Sequence, residues 1–273
     1  MTQLGGEELW AKACIERALP EVTVCQHDDG SEDSMYDLTI VYPDGPTGAV
    51  EVTTAADQKY VELAKALDEK ARQWQVPGLT GTWWVRVLPS ARANDLRQQL
   101  PGILRGLESD GIADIRGNRS SHDALVAKLG KLSIIAATQA TTTHVGRVFV
   151  IAEQTSELMG GYSPATGDPL AAWLGEWLAD SSRSDNVRKV TRSGADERHI
   201  FVLASAFTMD YAVTDLLATV NAPLPTIPPD LPTGITHVRV MSMWIDWGDG
   251  FRWSSDGGWN RFTKVKPPVS DSE

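Results

Sequence analysis

Residues 36–59, YDLTIVYPDGPTGAVEVTTAADQK, decide how the chain is read. Two runs rich in β-branched and apolar residues, Tyr36–Val41 and Ala49–Thr54, flank the turn-forming PDGPTG at 43–48, the pattern of two strands joined by a tight connection. Each run carries one carboxylate, Asp37 in the first and Glu51 in the second. Side chains alternate along a strand, so Asp37, Thr39 and Val41 share one face, and Glu51 and Thr53 share a face of the next strand. In an antiparallel pair an even register brings Asp37 and Glu51 to the same side, and a one-residue slip separates them. Thr54-Ala55-Ala56-Asp57 then has the form of a capping box, with Thr54 as N-cap and Asp57 at N3. It predicts a helix to about Trp74, with Tyr60, Ala64, Leu67, Ala71 and Trp74 buried and Lys59 off that stripe in the first turns.

Working outward, Gly5–Leu19 reads as a helix on the recurrence of Trp10, Cys14 and Ala18, widened by Ala11 and Ile15 and ended by Pro20. Glu8 lies at the edge of that stripe. A short strand is expected at Val22–Gln26, a strongly apolar one at Thr82–Leu88, and a helix over Ala93–Leu107 despite Pro101. Further on, helices are expected at 121–131, 169–179 and 210–219, and strands at 132–137, 147–153, 199–205 and 237–244. Five prolines in NAPLPTIPPDLPTG (221–234) mark an extended surface strap in preference to a domain boundary. The C-terminal WGDGFRWSSDGGWNRF reads as two hairpin pieces, with Trp244, Trp247, Trp253 and Trp259 as cross-strand packing pairs or a stacking platform. The fold class is therefore mixed α/β, with a core at 1–111, a further α/β region at 112–266 that either continues that domain or forms another, and a polar tail at 267–273.

The net charge of −11 is unevenly spread: residues 1–60 hold 12 Asp+Glu against 3 Lys+Arg, a net of −9. So acidic a front end repels phosphate backbones and suits a divalent cation. No apolar run approaches the roughly 20 residues needed to span a bilayer, and the first residues lack a signal-peptide pattern. A cytoplasmic protein without membrane contact is expected, with Cys14 and Cys25 as two buried free thiols. There is no dinucleotide-binding glycine motif, P-loop, HExxH or GxSxG, which argues against those chemistries.

The order helix, strand, strand, strand, helix, strand up to Leu88, with Asp37 in YDLTIV and Glu51 in AVEVTT, resembles the PD-(D/E)xK nuclease superfamily. The opening GGEELWAKA is similar to a helix that carries an additional acid in some members, here Glu8. The likeness covers residues 5 to about 90 and implies a restriction-endonuclease-like core, followed here by further strands, helices and a Trp-rich meander. It also implies DNA cleavage with Mg²⁺, or Mn²⁺ in its place, held by Asp37 and Glu51, with Glu8 and the carbonyl of Val52 as further ligands. The cation would lower the pKa of a bound water and offset charge on the phosphate. The sequence departs from the pattern at Thr53, where the motif has lysine. Lys59 is the expected stand-in as a catalytic residue, with Gln58 as a polar alternative. The competing expectation is an inactive nuclease-like domain that binds a protein partner. A placement of the two acids on opposite sheet faces would end the nuclease reading.

Asp196-Glu197-Arg198-His199 is a second cluster, at the start of a strand, where alternation points Glu197 and His199 to one side. Loop charges at a strand start commonly form no more than an Arg–acid pair. His27, His122, His144 and His237 have no metal-ligand spacing.

Overall fold

The run Ile200–Ala204, IFVLA, is apolar at every position, which a strand sustains only when both its faces are covered. The computed structural model describes residues 4–56, 58–68, 73–116, 123–140, 145–152, 164–205, 209–245 and 248–267. Its first elements in chain order are α1 (Gly6–Ala18), β1 (Thr23–Gln26), β2 (Leu38–Val41), β3 (Thr47–Ala55), α2 (Gln58–Asp68), β4 (Gln73–Gln75) and β5 (Thr82–Val87). They are followed by α3 (Ala93–Ser109), β6 (Asp114–Arg116), α4 (Asp123–Lys131), β7 (Ile134–Ala140) and β8 (Arg147–Ala152). The rest are α5 (Asp168–Ala179), α6 (Ser184–Thr191), β9 (Glu197–Ala204), α7 (Tyr211–Ala218), β10 (His237–Ser242), β11 (Asp249–Ser254) and β12 (Gly258–Thr263). The class is mixed α/β.

The chain forms two compact units, residues 1–56 with 160–273 and residues 57–159. The first is built on a seven-stranded sheet of order β1-β2-β3-β9-β10-β11-β12. β3, β9 and β10 run parallel, while the outer pairs are antiparallel. One face packs Ala49, Ile200, Val202, Val238 and Val240 against Leu170 and Leu174 of α5, Val190 of α6 and Val213 of α7. The other packs Leu38, Ile40, Val50, Phe201 and Met241 against Trp10, Cys14 and Ile15 of α1. Two covered faces explain the unbroken apolar run of β9. At Gly250 an added Cβ would lie 2.2 Å from the Phe262 ring, so the aromatic closes the α1-side core over a residue that must lack a side chain.

The second unit has a five-stranded sheet of order β4-β8-β5-β7-β6. Trp83, Val85, Val148 and Val150 pack on Leu96, Leu100 and Leu104 of α3 and Leu129 of α4.

Several expectations are revised. Thr54 is no helix cap: β3 continues to Ala55 because it pairs with β9 as far as Ala55↔Ala204, and the Thr54 hydroxyl donates to Glu7 Oε2 at 2.7 Å. Trp74 lies in β4, not at the end of a helix. The boundary drawn at 111/112 falls inside the second unit, which begins at Asp57, because the parallel β3–β9 pairing spans about 150 residues and leaves no local mark. Cys25 is exposed on the edge strand β1, while Cys14 is buried, and both are free. The proline stretch is a strap within the first unit, tied by Thr226 N–H to Asp168 Oδ1 at 2.6 Å and by Gly167 N–H to the Leu224 carbonyl at 3.1 Å. Trp253 and Trp259 are cross-strand partners, and Trp247 and Ala71 lie outside the described residues. Among the described residues no helix is long and apolar enough to cross a membrane.

Candidate functional site

β2 and β3 are antiparallel with Leu38 opposite Val50 and Thr39 opposite Ala49. The pairing ends at Leu38, and Asp37, the residue before β2, lies close enough to Glu51 for its charge to act on it, with Lys189 of α6 acting on both. Glu51 projects from the face covered by α5, α6 and α7. Asp37 N–H donates to the Val50 carbonyl at 3.1 Å, and Asp37 Oδ2 accepts from the Val52 N–H at 2.7 Å. The two acids are 8% and 3% exposed.

Burial without enough compensating charge marks this pair. Desolvation, opposed by the Val52 N–H and reinforced by the Glu8 charge, raises the Asp37 pKa to about 6. Desolvation, together with the Asp37 charge, raises that of Glu51 to about 8, against the pull of Lys189. Lys189 Nζ donates to Glu51 Oε1 at 2.8 Å. Burial pulls the lysine pKa down, but the Glu51 carboxylate outweighs it and holds it above its ordinary value. Glu51 Oε2 is buried with no hydrogen-bond partner. Such an atom carries the desolvation cost of a charged oxygen without compensation.

The lysine comes from α6, for which no element was expected. Asn186 and Lys189 are three residues apart and so share one side of the helix. Asn186 Nδ2 donates to Thr53 Oγ1 at 2.9 Å, while Lys189 reaches Glu51. Thr53 and Glu51 alternate onto the same face of β3, so one side of the helix reads two positions of the strand. Thr53 thus anchors the helix that brings to Glu51 a lysine from 138 residues along the chain.

The other expected residues are placed as follows. Glu8 lies in the first turn of α1, where its Oε2 accepts from the Gly5 N–H at 2.7 Å, and its charge still reaches Asp37. Lys59 is exposed in α2 of the second unit. The described residues hold one group of three ligand-bearing side chains within 4.8 Å, and it is not Asp37, Glu51 and Glu8.

That group is Glu197, His199 and His237, and it could hold a metal ion. It forms because β9 and β10 pair in parallel with His199 beside His237, a juxtaposition that sequence spacing cannot reveal. The rings stack with centroids 4.2 Å apart. His199 Nε2 is 2.9 Å from Glu197 Oε2, and the Tyr42 hydroxyl donates to the same oxygen at 2.5 Å. His199 Nδ1 accepts from Arg239 Nη1 at 2.6 Å, which assigns the proton to Nε2. In this arrangement both nitrogens of His199 are engaged. Burial lowers its pKa to about 3 in spite of Glu197. Burial alone would raise Glu197, but the hydrogen bonds from His199 and Tyr42 prevail and bring it to about 2.

No family model, curated protein or solved structure matches the chain.

Proposed function

We propose that the Asp37–Glu51 face binds a divalent cation, Mg²⁺ or Mn²⁺, and serves the hydrolysis of phosphodiester bonds in DNA. The observation that carries this reading is a pair of buried carboxylates facing a single lysine, with Glu51 Oε2 unpartnered. When both acids are ionised, two carboxylates face one ammonium, and oxygen donors of this kind suit a hard dication, whose binding would displace the proton that Glu51 otherwise keeps to about pH 8. Asp37 and Glu51 would hold the cation. Bound there, it would lower the pKa of a water and offset charge on the phosphate.

The remaining steps fall to the chain's own groups. Lys189 takes the place of the motif's lysine, keeping a proton and a positive charge beside Glu51 to orient a water or a phosphate oxygen. The Asn186–Thr53 hydrogen bond fixes α6 against β3 and so sets the lysine's reach. Glu8 adds negative potential near Asp37 and favours cation entry.

Titration with Mn²⁺ by calorimetry tests this. Wild type is expected to bind, Asp37→Ala to lose binding, and Lys189→Ala to keep binding while losing cleavage of a DNA substrate. Absence of binding by wild type would overturn the reading. The Lys189–Glu51 ion pair itself favours the second reading, an inactive interaction module in which the lysine permanently neutralises the acid. That reading expects no metal binding and a destabilised Lys189→Ala.

A further inference from the structure

The sheet of the second unit is covered by α3 and α4 on one face, and its opposite face carries a different set of side chains. Trp83, Val85 and Val87 of β5 are buried, while Trp84 is 40% exposed, with Arg86 on its side of the strand. On β8 the alternation is the same: Val148 and Val150 are buried, and Arg147, Phe149 and Ile151 point the other way. Parallel pairing puts Trp84 beside Phe149 and Arg86 beside Ile151. The two aromatic rings stack with centroids 4.6 Å apart and planes 15° from parallel. β7 adds Thr138 beside Trp84, and β6 adds Asp114 and Arg116. β4 supplies Gln73 and Gln75, the former beside Phe149. At the end of the platform Tyr60, Ala64 and Leu67 of α2 close an apolar cleft of about 200 Å³ with Trp84, Phe149 and Ile151.

Charge separates this unit from the rest of the molecule. Residues 57–159 hold 13 Lys+Arg against 11 Asp+Glu, a net of +2, while the other residues hold 12 against 25, a net of −13. On the open face, among the described residues, three arginines, Arg86, Arg116 and Arg147, stand against one acid, Asp114, which pairs with Arg116 at 3.3 Å. An exposed aromatic stack on the two central strands, with arginines around it, offers what an unpaired nucleobase and its phosphate require. The base continues the stack, and the phosphates meet guanidinium groups.

We propose that this face binds single-stranded nucleic acid, with Trp84 and Phe149 as the base-stacking pair and Arg86, Arg116 and Arg147 as phosphate contacts. The proposal goes beyond the reading of the acid pair and does not depend on it, since the groups involved need no metal. A duplex, whose bases are already stacked and whose phosphates lie on a stiff cylinder, fits a flat aromatic platform poorly.

The test is fluorescence anisotropy of labelled 20-mers, oligo-dT and oligo-U, with the full chain in EDTA and low salt. Wild type is expected to bind at least one of them more tightly than a duplex of equal length, and binding should weaken as salt rises. Trp84→Ala should weaken it roughly 5- to 150-fold, the range for loss of one stacked base. Trp84→Phe should restore most of the affinity. The preferred oligonucleotide assigns DNA or RNA. Absence of binding by wild type, or equal binding by wild type and a Trp84→Ala protein of unaltered circular dichroism, would overturn the proposal and turn attention to a protein partner. Loss of metal binding at Asp37 would leave this result standing, so the two readings fail separately.

Discussion

Two polar clusters occupy opposite faces of one sheet and are partnered very differently. On the α1 side, Tyr42, Glu197, His199 and Arg239 form a hydrogen-bonded chain with one carboxylate and one guanidinium, in which both nitrogens of the buried imidazole are used and Arg239 Nε is left without a partner. On the α6 side, Asp37 and Glu51 share one lysine, and an oxygen of Glu51 is left over. Burial is similar in the two places, so burial does not distinguish them. Charge balance does. A balanced network holds the fold together, whereas an unbalanced one is retained at a cost to stability that suggests use.

The comparison can be broken by substitutions that ask whether each cluster supports the fold. The largest effect is expected from His199→Ala, which takes the acceptor from Arg239 Nη1 and leaves a guanidinium buried. A loss of about 3–5 kcal/mol should appear in urea unfolding, the cost of breaking one side of a buried charged network. Wild-type stability should also depend on acid through the same residue. The folded-state pKa of His199, lowered to about 3 by burial, lies below the ordinary 6.5. The unfolded chain therefore binds the extra proton first, and stability present above about pH 6.5 is lost as pH falls towards 3. Glu197, lowered to about 2 chiefly by its bonds from His199 and Tyr42 against the effect of burial, loses its contribution in the same direction, below its ordinary 4.5. Stability curves of wild type and His199→Ala across that range should differ in slope, and equal slopes would remove His199 from the account.

Gly48→Ala should cost about 1–3 kcal/mol, as overpacked cores do, because its Cβ would lie 2.9 Å from His199 Nε2 and 3.3 Å from Ile40 Cβ. A thermal melt checks it. The comparison is sharpest at Asp37→Asn, where the opposite sign is expected. The amide still accepts from the Val52 N–H but removes one of two facing charges. The metal-free protein should gain about 1 kcal/mol, the scale of relieved strain at functional sites, while Mn²⁺ binding is lost. A destabilised Asp37→Asn would put the acids on the same structural footing as the opposite cluster. The smallest change is expected from Trp84→Ala, within about 0.5 kcal/mol as for exposed positions generally. A much larger loss in urea unfolding would mean that the aromatic face is packed in the native state.

Much of the α6-side site could be read locally, and its most informative part could not. Asp37 and Glu51 stand out because each interrupts an apolar strand, while the register that brings them to one face or separates them is left open by the sequence. Lys189 has no such signal. SDNVRKVT spans barely two turns, with Val187 and Val190 as its apolar positions, and nothing in it points to a strand 138 residues earlier. No local feature names a cation for the pair, and the nearest one in sequence, Lys59, belongs to the other unit. His237 was passed over for a related reason. Its neighbour is set by strand pairing with β9, not by spacing along the chain.

Composition and periodicity by themselves determined the mixed α/β class, most of the helices and strands, the two acids as candidates and the uneven charge. These follow from short-range patterns of burial and turn formation. The tertiary structure decided the division into two units, the end of β3, the source of the lysine and the pairing of the two histidines. Each depends on parallel strands meeting over long separations, where hydrogen bonds between backbones select partners and side chains add no local mark. What a residue faces is settled by the sheet, and here it is the facing groups that separate a structural cluster from a candidate site.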